Sequence, residues 1–99
     1  MITVHITKDE IKVTGHTLPD ICASVSSAMY ITANNLIDMQ LLGIDKGECS
    51  IVDKPDADYM LIKVVKHSVI TDVLLNTLKK GLRDIADDSD GNVKIKESH

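Results

Sequence analysis

The sequence predicts an α+β fold in which two amphipathic helices cover one face of a mainly antiparallel sheet. Three observations lead to this prediction. Alternating apolar and polar residues indicate short strands, two longer segments repeat their apolar residues at helical spacing, and turn-forming residues separate these segments. The elements follow one another in the order β-β-α-β-β-α-β. Placing both helices on one side of the sheet is the simplest way to bury their apolar stripes in a two-layer structure.

The first two strands are predicted to form a hairpin. Residues 2–6 alternate apolar and polar side chains, which is the period of a half-buried strand. Residues 8–9 form a tight turn, and residues 11–14 repeat the alternation. Gly15 then ends the second strand.

The first helix is predicted from Ile21 to about Leu42, because its apolar residues recur every three or four positions. Gly43 is a typical helix stop. Pro19 and Asp20 precede the helix, and Asp20 is the expected N-cap, since its carboxylate can accept a hydrogen bond from a first-turn N–H. The residues of the predicted core stripe are Ile21, Val25, Ala28, Met29, Thr32, Leu36 and Met39.

The second half of the chain repeats the pattern of two strands and a helix. Strands are predicted at residues 47–53 and 57–66, with Met60, Ile62 and Val64 facing inward. Ser68 is expected to cap the second helix. That helix carries a broad apolar face, and a short last strand follows at residues 93–96. The apolar residues of the second helix are Ile70, Val73, Leu74, Leu78, Leu82 and Ile85.

Length and composition limit the possible classes of protein. The 99 residues are predicted to form a single domain over residues 1–99, with an aliphatic core, because there is no Phe or Trp and only two Tyr. The net charge is −4 and no run of Lys and Arg occurs, so direct nucleic-acid binding is not expected. No apolar stretch approaches the ~20 residues of a membrane span.

The start of the sequence and its two cysteines indicate a compartment. Polar residues such as Thr3, His5 and Thr7 interrupt any apolar run at the start, so no cleavable signal is predicted. Cys22 and Cys49 are expected to be reduced thiols rather than a disulfide. The predicted location is therefore the cytoplasm.

One segment, residues 15–26, carries the candidate chemistry. His16 follows a strand-ending glycine, and Cys22 lies where the first helix begins. Unpaired N–H groups and the positive end of the helix dipole favour a thiolate at such a position. The backbone amides of Cys22 and Ala23 are predicted to bind an oxyanion. Alternatively, Cys22 is a core residue and His16 an exposed loop residue without a chemical role.

The same segment resembles a known family. Gly15-His16, followed by Asp20-Ile21-Cys22-Ala23-Ser24-Val25-Ser26, is similar to the signature of the Prp family, the bacterial ribosomal-processing cysteine proteases. The resemblance extends at the level of pattern to the opening hairpin, residues 59–64 and residues 78–85. It implies that Cys22 is the nucleophile and His16 the general base.

Two further residues have both a structural and a functional interpretation. Ser26 lies one helical turn after Cys22, and the resemblance implies that it supports the cysteine by hydrogen bonding; a helical serine also commonly bonds its own backbone. Asp20 matches the family's aspartate imperfectly, since the family has one more residue before the cysteine, and N-capping alone explains it. No cofactor is indicated. A metal site is not expected either, because zinc sites usually need three or four ligands at short repeated spacings.

The resemblance implies a cysteine-type endopeptidase whose partner is a protein substrate. That substrate is either the N-terminal extension of a ribosomal protein or, for phage-encoded relatives, a capsid or scaffold protein. The alternative is a catalytically impaired relative that acts as a binding or assembly protein. This alternative is favoured by the segment between His16 and Cys22, which is only five residues long and stiffened by Pro19, where the family has a longer glycine-containing loop.

The resemblance also implies a homodimer. The second helix has more apolar residues than one stripe of about 100° requires, and the surplus lies around Val69, Val73 and Leu75. These residues either pack against the first helix or form an exposed patch for a partner.

Overall fold

A computed structural model describes residues 1–98 as two helices on a five-stranded sheet. The predicted α+β class and the order β-β-α-β-β-α-β are both confirmed. A short 3₁₀ turn at Pro55–Ala57 joins the third and fourth strands. The elements are β1 (Ile2–Ile6), β2 (Glu10–Gly15), α1 (Pro19–Leu41), β3 (Glu48–Lys54), β4 (Tyr59–Lys66), α2 (Val69–Asp87) and β5 (Val93–Glu97).

The sheet is mainly antiparallel, as predicted, and has the strand order β3-β4-β2-β1-β5. Only the pairing of β1 with β5 is parallel. In the opening hairpin, Ile2 pairs with Gly15 and Ile6 with Ile11, so the end of β2 lies beside the start of β1. The residue that follows Gly15 therefore lies at the end of the central strand of the sheet, near α1.

One aliphatic core lies between the sheet and the two helices. Each strand contributes alternate residues, as expected for a sheet with one buried face. The inward positions predicted on β4 are confirmed. The fully enclosed apolar side chains include Val4, Ile11, Val25, Met29, Leu36, Ile62 and Leu82.

The two helices begin differently. Ser68 caps α2 as predicted, since its hydroxyl accepts a hydrogen bond from the Thr71 N–H at 3.0 Å. The prediction that Asp20 caps α1 is wrong. The N-cap residue is Leu18, and Pro19 occupies the first helical position, where its missing N–H costs nothing and its fixed φ suits the helix. Asp20 lies in the first turn, near the positive end of the helix dipole.

The apolar surplus of α2 divides between the core and the surface. Leu75 is buried in the core, whereas Val69 and Val73 are 81% and 57% exposed. Leu75 therefore belongs to the internal core, whereas a partner at the exposed Val69 and Val73 stays a prediction. Within residues 1–98, no helix combines the length and apolar character that a membrane span needs.

A buried carboxylate ties α1 and the loop after it to the start of α2. Asp45 is 3% exposed. Its Oδ1 accepts hydrogen bonds from the Gly47 N–H at 2.8 Å and from the Ser68 hydroxyl, and its Oδ2 accepts from the Thr71 hydroxyl at 2.6 Å and the Gln40 amide at 3.1 Å. Burial raises the pKa of Asp45, but these hydrogen bonds outweigh that effect and hold the pKa well below its usual range.

Candidate active site

A cleft of about 210 Å³ opens between the N-terminal half of α1 and the sheet. It brings together three of the predicted site residues: His16, Cys22 and Ser26. Asp20 is exposed and does not line it. The apolar side chains of the cleft are Ile2, Val13, Val25, Met29, Pro55 and Met60, and its polar side chains also include Tyr30, Asp53, Asp58 and Tyr59.

His16 owes its position to Gly15. The φ angle of Gly15 is +89°, and a Cβ at this residue would lie 2.3 Å from the carbonyl oxygen of Met1. Only glycine adopts this conformation without strain, so the end of β2 can turn towards α1 while staying in contact with the start of β1. The imidazole of His16 is 78% exposed, and its Nδ1 lies 3.0 Å from Oδ2 of Asp58.

Cys22 is half-buried in the first turns of α1, and its sulfur contacts the segment that precedes the helix. The Sγ accepts a hydrogen bond from the Thr17 N–H at 3.1 Å, and the thiol donates to the Thr17 carbonyl at 3.3 Å. The short segment after His16 is thus folded back onto the sulfur. A negatively charged sulfur would retain the first of these bonds and lose the second.

The predicted oxyanion site at the amides of Cys22 and Ala23 is wrong. The Cys22 N–H donates to the Leu18 carbonyl at 3.0 Å, and Ala23 lies one residue further into the helix, where its N–H faces the Pro19 carbonyl. The error follows from the helix start. Because α1 begins two residues earlier than predicted, its first turn with unpaired amides ends before Cys22.

Ser26 lines the cleft one turn after Cys22 on α1. Among residues 1–98, its hydroxyl has no hydrogen-bond partner, neither the cysteine nor its own backbone. Its support of Cys22 stays a prediction.

The far end of the cleft contains a pair that the sequence analysis missed. Tyr30 lies two turns beyond Cys22 on α1, and its hydroxyl donates to Oδ2 of Asp53 on β3 at 2.6 Å. This hydrogen bond raises the pKa of Tyr30. The only signal in the sequence is the spacing of Cys22, Ser26 and Tyr30, which places all three on one face of a helix.

Asp58 was also missed, because the predicted strand at residues 57–66 includes it. In the structure it follows the 3₁₀ turn at Pro55–Ala57, and nothing in the sequence connects this position with His16, which lies 42 positions earlier. Asp53 and Asp58 are the charged carboxylates that line the cleft, and no Lys or Arg of the described residues lines it.

The two cysteines are both free thiols, but they differ in their surroundings. Cys49 packs against the core, and burial raises the pKa of its thiol. The amide of Gln40 lies 3.6 Å from its sulfur. Within the described residues, no three His, Cys, Asp or Glu side chains are grouped so as to hold a metal ion.

Comparison with protein-family models and with curated proteins finds no match to this sequence. Solved structures do match. The crystal structure of Prp, an essential ribosomal processing protease from Staphylococcus aureus, in complex with a covalently linked product peptide, has a TM-score of 0.86 and 21% identity. The match covers 99% of this chain and 100% of that one. The chain has the Prp fold.

Two further structures are consistent with this conclusion. The complex of S. aureus Prp with a substrate peptide gives a TM-score of 0.84 at 21% identity, with 99% of this chain and 100% of that chain covered. SMU.848 from Streptococcus mutans gives 0.65 at 19% identity, with 98% and 93% covered. The resemblance to Prp in residues 15–26 is therefore confirmed at the level of the fold.

Proposed function

We propose that this chain is a cysteine peptidase with Cys22 as its nucleophile and His16 as its general base. The observation that carries the proposal is the cleft, where these two side chains, one from the loop after β2 and one from α1, line one cavity. The Prp fold supports it, because Prp itself is a protease and its complexes hold substrate and product peptides.

In the proposed reaction, the Sγ of Cys22 bonds to the carbonyl carbon of the scissile peptide while Nε2 of His16 takes the thiol proton. The C–N bond then breaks, and the imidazolium gives that proton to the leaving amine. Water attacks the resulting thioester with His16 again as base, which releases the acid and restores the thiol. We assign Ser26 a supporting role as a hydrogen-bond partner of Cys22 during these steps.

The proposed substrate is a protein segment. By analogy with Prp, it is the N-terminal extension of a ribosomal protein or, if the chain is encoded by a phage, a capsid or scaffold protein. The apolar floor of the cleft suits the side chains of an extended peptide. The proposed compartment is the cytoplasm, where the two free thiols stay reduced.

A second candidate function, binding or assembly without cleavage, is favoured by one observation. The segment between His16 and Cys22 is short, contains Pro19, and holds the Cys22 sulfur through both backbone groups of Thr17. Before attack, the thiol hydrogen must leave the Thr17 carbonyl and pass to Nε2 of His16. In a binding protein that contact would simply persist.

Cleavage assays test the proposal. Purified protein is incubated with the ribosomal-protein precursor of the same organism and, for a phage gene, with the capsid and scaffold proteins. We expect one defined cleavage that is lost in Cys22→Ala, because no other described thiol lines the cleft, and reduced roughly 10²-fold or more in His16→Gln. Mass spectrometry of the products identifies the cleaved bond.

Cys49→Ala is the matched control, because it removes the other thiol without touching the cleft and should leave cleavage intact. Cleavage that survives Cys22→Ala would contradict the proposal. Stable binding of a substrate without any cleavage would favour the second candidate function.

We further propose a twofold homodimer in which α2 contributes its exposed Val69 and Val73. Light scattering over a concentration series should give about twice the 10.8 kDa of the chain. Val73→Asp should lower that mass, since an unpaired charge in an apolar interface is costly. A mass of 10.8 kDa at micromolar concentration for the unsubstituted protein would exclude the dimer.

A further inference from the structure

Asp58 is the partner that fixes the imidazole of His16. The two side chains meet at 3.0 Å between Oδ2 and Nδ1. The His16 ring is 78% exposed, so packing does not hold it. Among residues 1–98, no other hydrogen bond to this ring is formed. The orientation of the ring in the cleft therefore depends on Asp58.

The backbone of Asp58 is itself fixed by its conformation and by two hydrogen bonds. It ends the 3₁₀ turn in a left-handed conformation, with φ 49° and ψ 52°, which Asp and Asn adopt more readily than most residues. Its N–H donates to the Pro55 carbonyl at 3.1 Å, and its carbonyl accepts from the Gly15 N–H at 3.0 Å. One residue thus holds both the backbone next to His16 and the imidazole of His16.

The chemistry of this contact determines which ring nitrogen carries the proton. An ionised carboxylate accepts hydrogen bonds and donates none, so Nδ1 of His16 must be the donor. The lone pair of a neutral ring then lies on Nε2, the nitrogen that is free to take the proton of Cys22. When the ring becomes an imidazolium, the carboxylate also stabilises its positive charge.

We infer that Asp58 is the positioning residue of this site, selecting the Nδ1–H tautomer of His16 and holding its ring at the cleft that contains Cys22. The inference rests on the proposed function. The sequence resemblance implies no functional residue near position 58. Asp58 does not contact the reacting atoms and acts through His16.

The test is Asp58→Asn. Asparagine keeps the left-handed backbone and the shape of the side chain, but its amide can donate to Nδ1 and so select the opposite tautomer. We expect kcat for cleavage to fall roughly 10²-fold with little change in KM, because general-base catalysis is lost while peptide binding is kept. Asp56→Asn, in the same turn and outside the cleft, is the matched control and should keep the kcat of the unsubstituted protein.

Imidazole ¹⁵N NMR supplies a readout that does not need a substrate. At alkaline pH, where neutral rings predominate, His16 should be the Nδ1–H tautomer in the unsubstituted protein and shift towards Nε2–H in Asp58→Asn. His16→Gln assigns the signal. If Asp58→Asn does not fold, Asp58→Gly replaces it, since glycine adopts the same backbone conformation and removes the carboxylate.

The outcomes separate the two proposals. An unchanged tautomer or an unchanged kcat in Asp58→Asn would overturn the role of Asp58. Absence of Cys22-dependent cleavage in the unsubstituted protein would overturn the proposed function. The NMR result would still decide the role of Asp58 in that case: a tautomer change supports positioning, and none overturns it.

Discussion

Replacing Asp45 by Ala should destabilise the fold more than any single surface substitution. The carboxylate is 3% exposed and accepts four hydrogen bonds, from Gln40, Gly47, Ser68 and Thr71. Its removal leaves the donors of the buried Gly47 and Thr71 without an acceptor, and those of the half-buried Gln40 and Ser68 without their partner. The cost is about 1–3 kcal/mol for each unsatisfied group that water does not reach. We expect a loss of at least about 3 kcal/mol, a large part of the ~5–15 kcal/mol of a typical domain. Urea unfolding at neutral pH measures it.

The dependence on pH gives a second readout for Asp45. Its folded-state pKa lies below the ordinary value of 3.8, so the carboxylate contributes stability above pH 3.8. That contribution is lost as the pH falls through the folded-state pKa. The unsubstituted protein should therefore lose stability on acidification below about pH 4, and Asp45→Asn should lose less, because its amide does not titrate.

Asp38→Ala is the matched control for Asp45. It removes one aspartate from the exposed face of α1, and its side chain has no hydrogen-bond partner among residues 1–98. Its free energy of unfolding should change by less than about 0.5 kcal/mol. If Asp45→Ala were as stable as Asp38→Ala, the buried hydrogen bonds would not stabilise the fold.

Much of the fold follows from local patterns in the sequence. The alternation in residues 2–6 predicted β1, and the inward positions of Met60, Ile62 and Val64 were predicted on β4, because each of these strands has one buried face. Ser68 predicted the start of α2, because a serine hydroxyl just before an apolar helical repeat can accept a hydrogen bond from a first-turn N–H. Such features depend on residues close together in the chain.

The features that the sequence analysis missed or predicted wrongly are of two kinds. They are contacts between residues that are distant in the chain, or a choice between two neighbouring residues for the start of a helix. Pro19 and Asp20 are both suitable for the start of α1, and the helix begins at the proline, which moved the unpaired amides away from Cys22. Asp45 looked like an ordinary polar residue of a loop, and Asp58 like a polar residue near the start of a predicted strand. Their partners, His16 and Thr71, lie far along the chain and meet them only after the sheet and helices have packed.

Replacing Gly15 by Ala should disrupt both the fold and the site. The residue has a φ of +89°, and the added Cβ would meet the Met1 carbonyl oxygen at 2.3 Å, a backbone atom that side-chain motion cannot relieve. The left-handed backbone alone costs an alanine about 1–2 kcal/mol. The close contact adds to this by forcing β1 and β2 apart where Ile2 pairs with Gly15. We expect a fall in Tm of more than about 8 °C by calorimetry.

Gly91→Ala is the control that separates the two causes. Gly91 has a φ of +83°, but a Cβ there would have no atom within 4 Å. Its substitution should cost only the conformational part, so Tm should fall clearly less than in Gly15→Ala. Equal losses in the two variants would mean that the Met1 contact does not matter. We expect a larger loss of Tm in Gly15→Ala, together with a fall in cleavage that exceeds what the loss of stability explains. This result would show that the backbone turn at Gly15 positions His16 at the cleft.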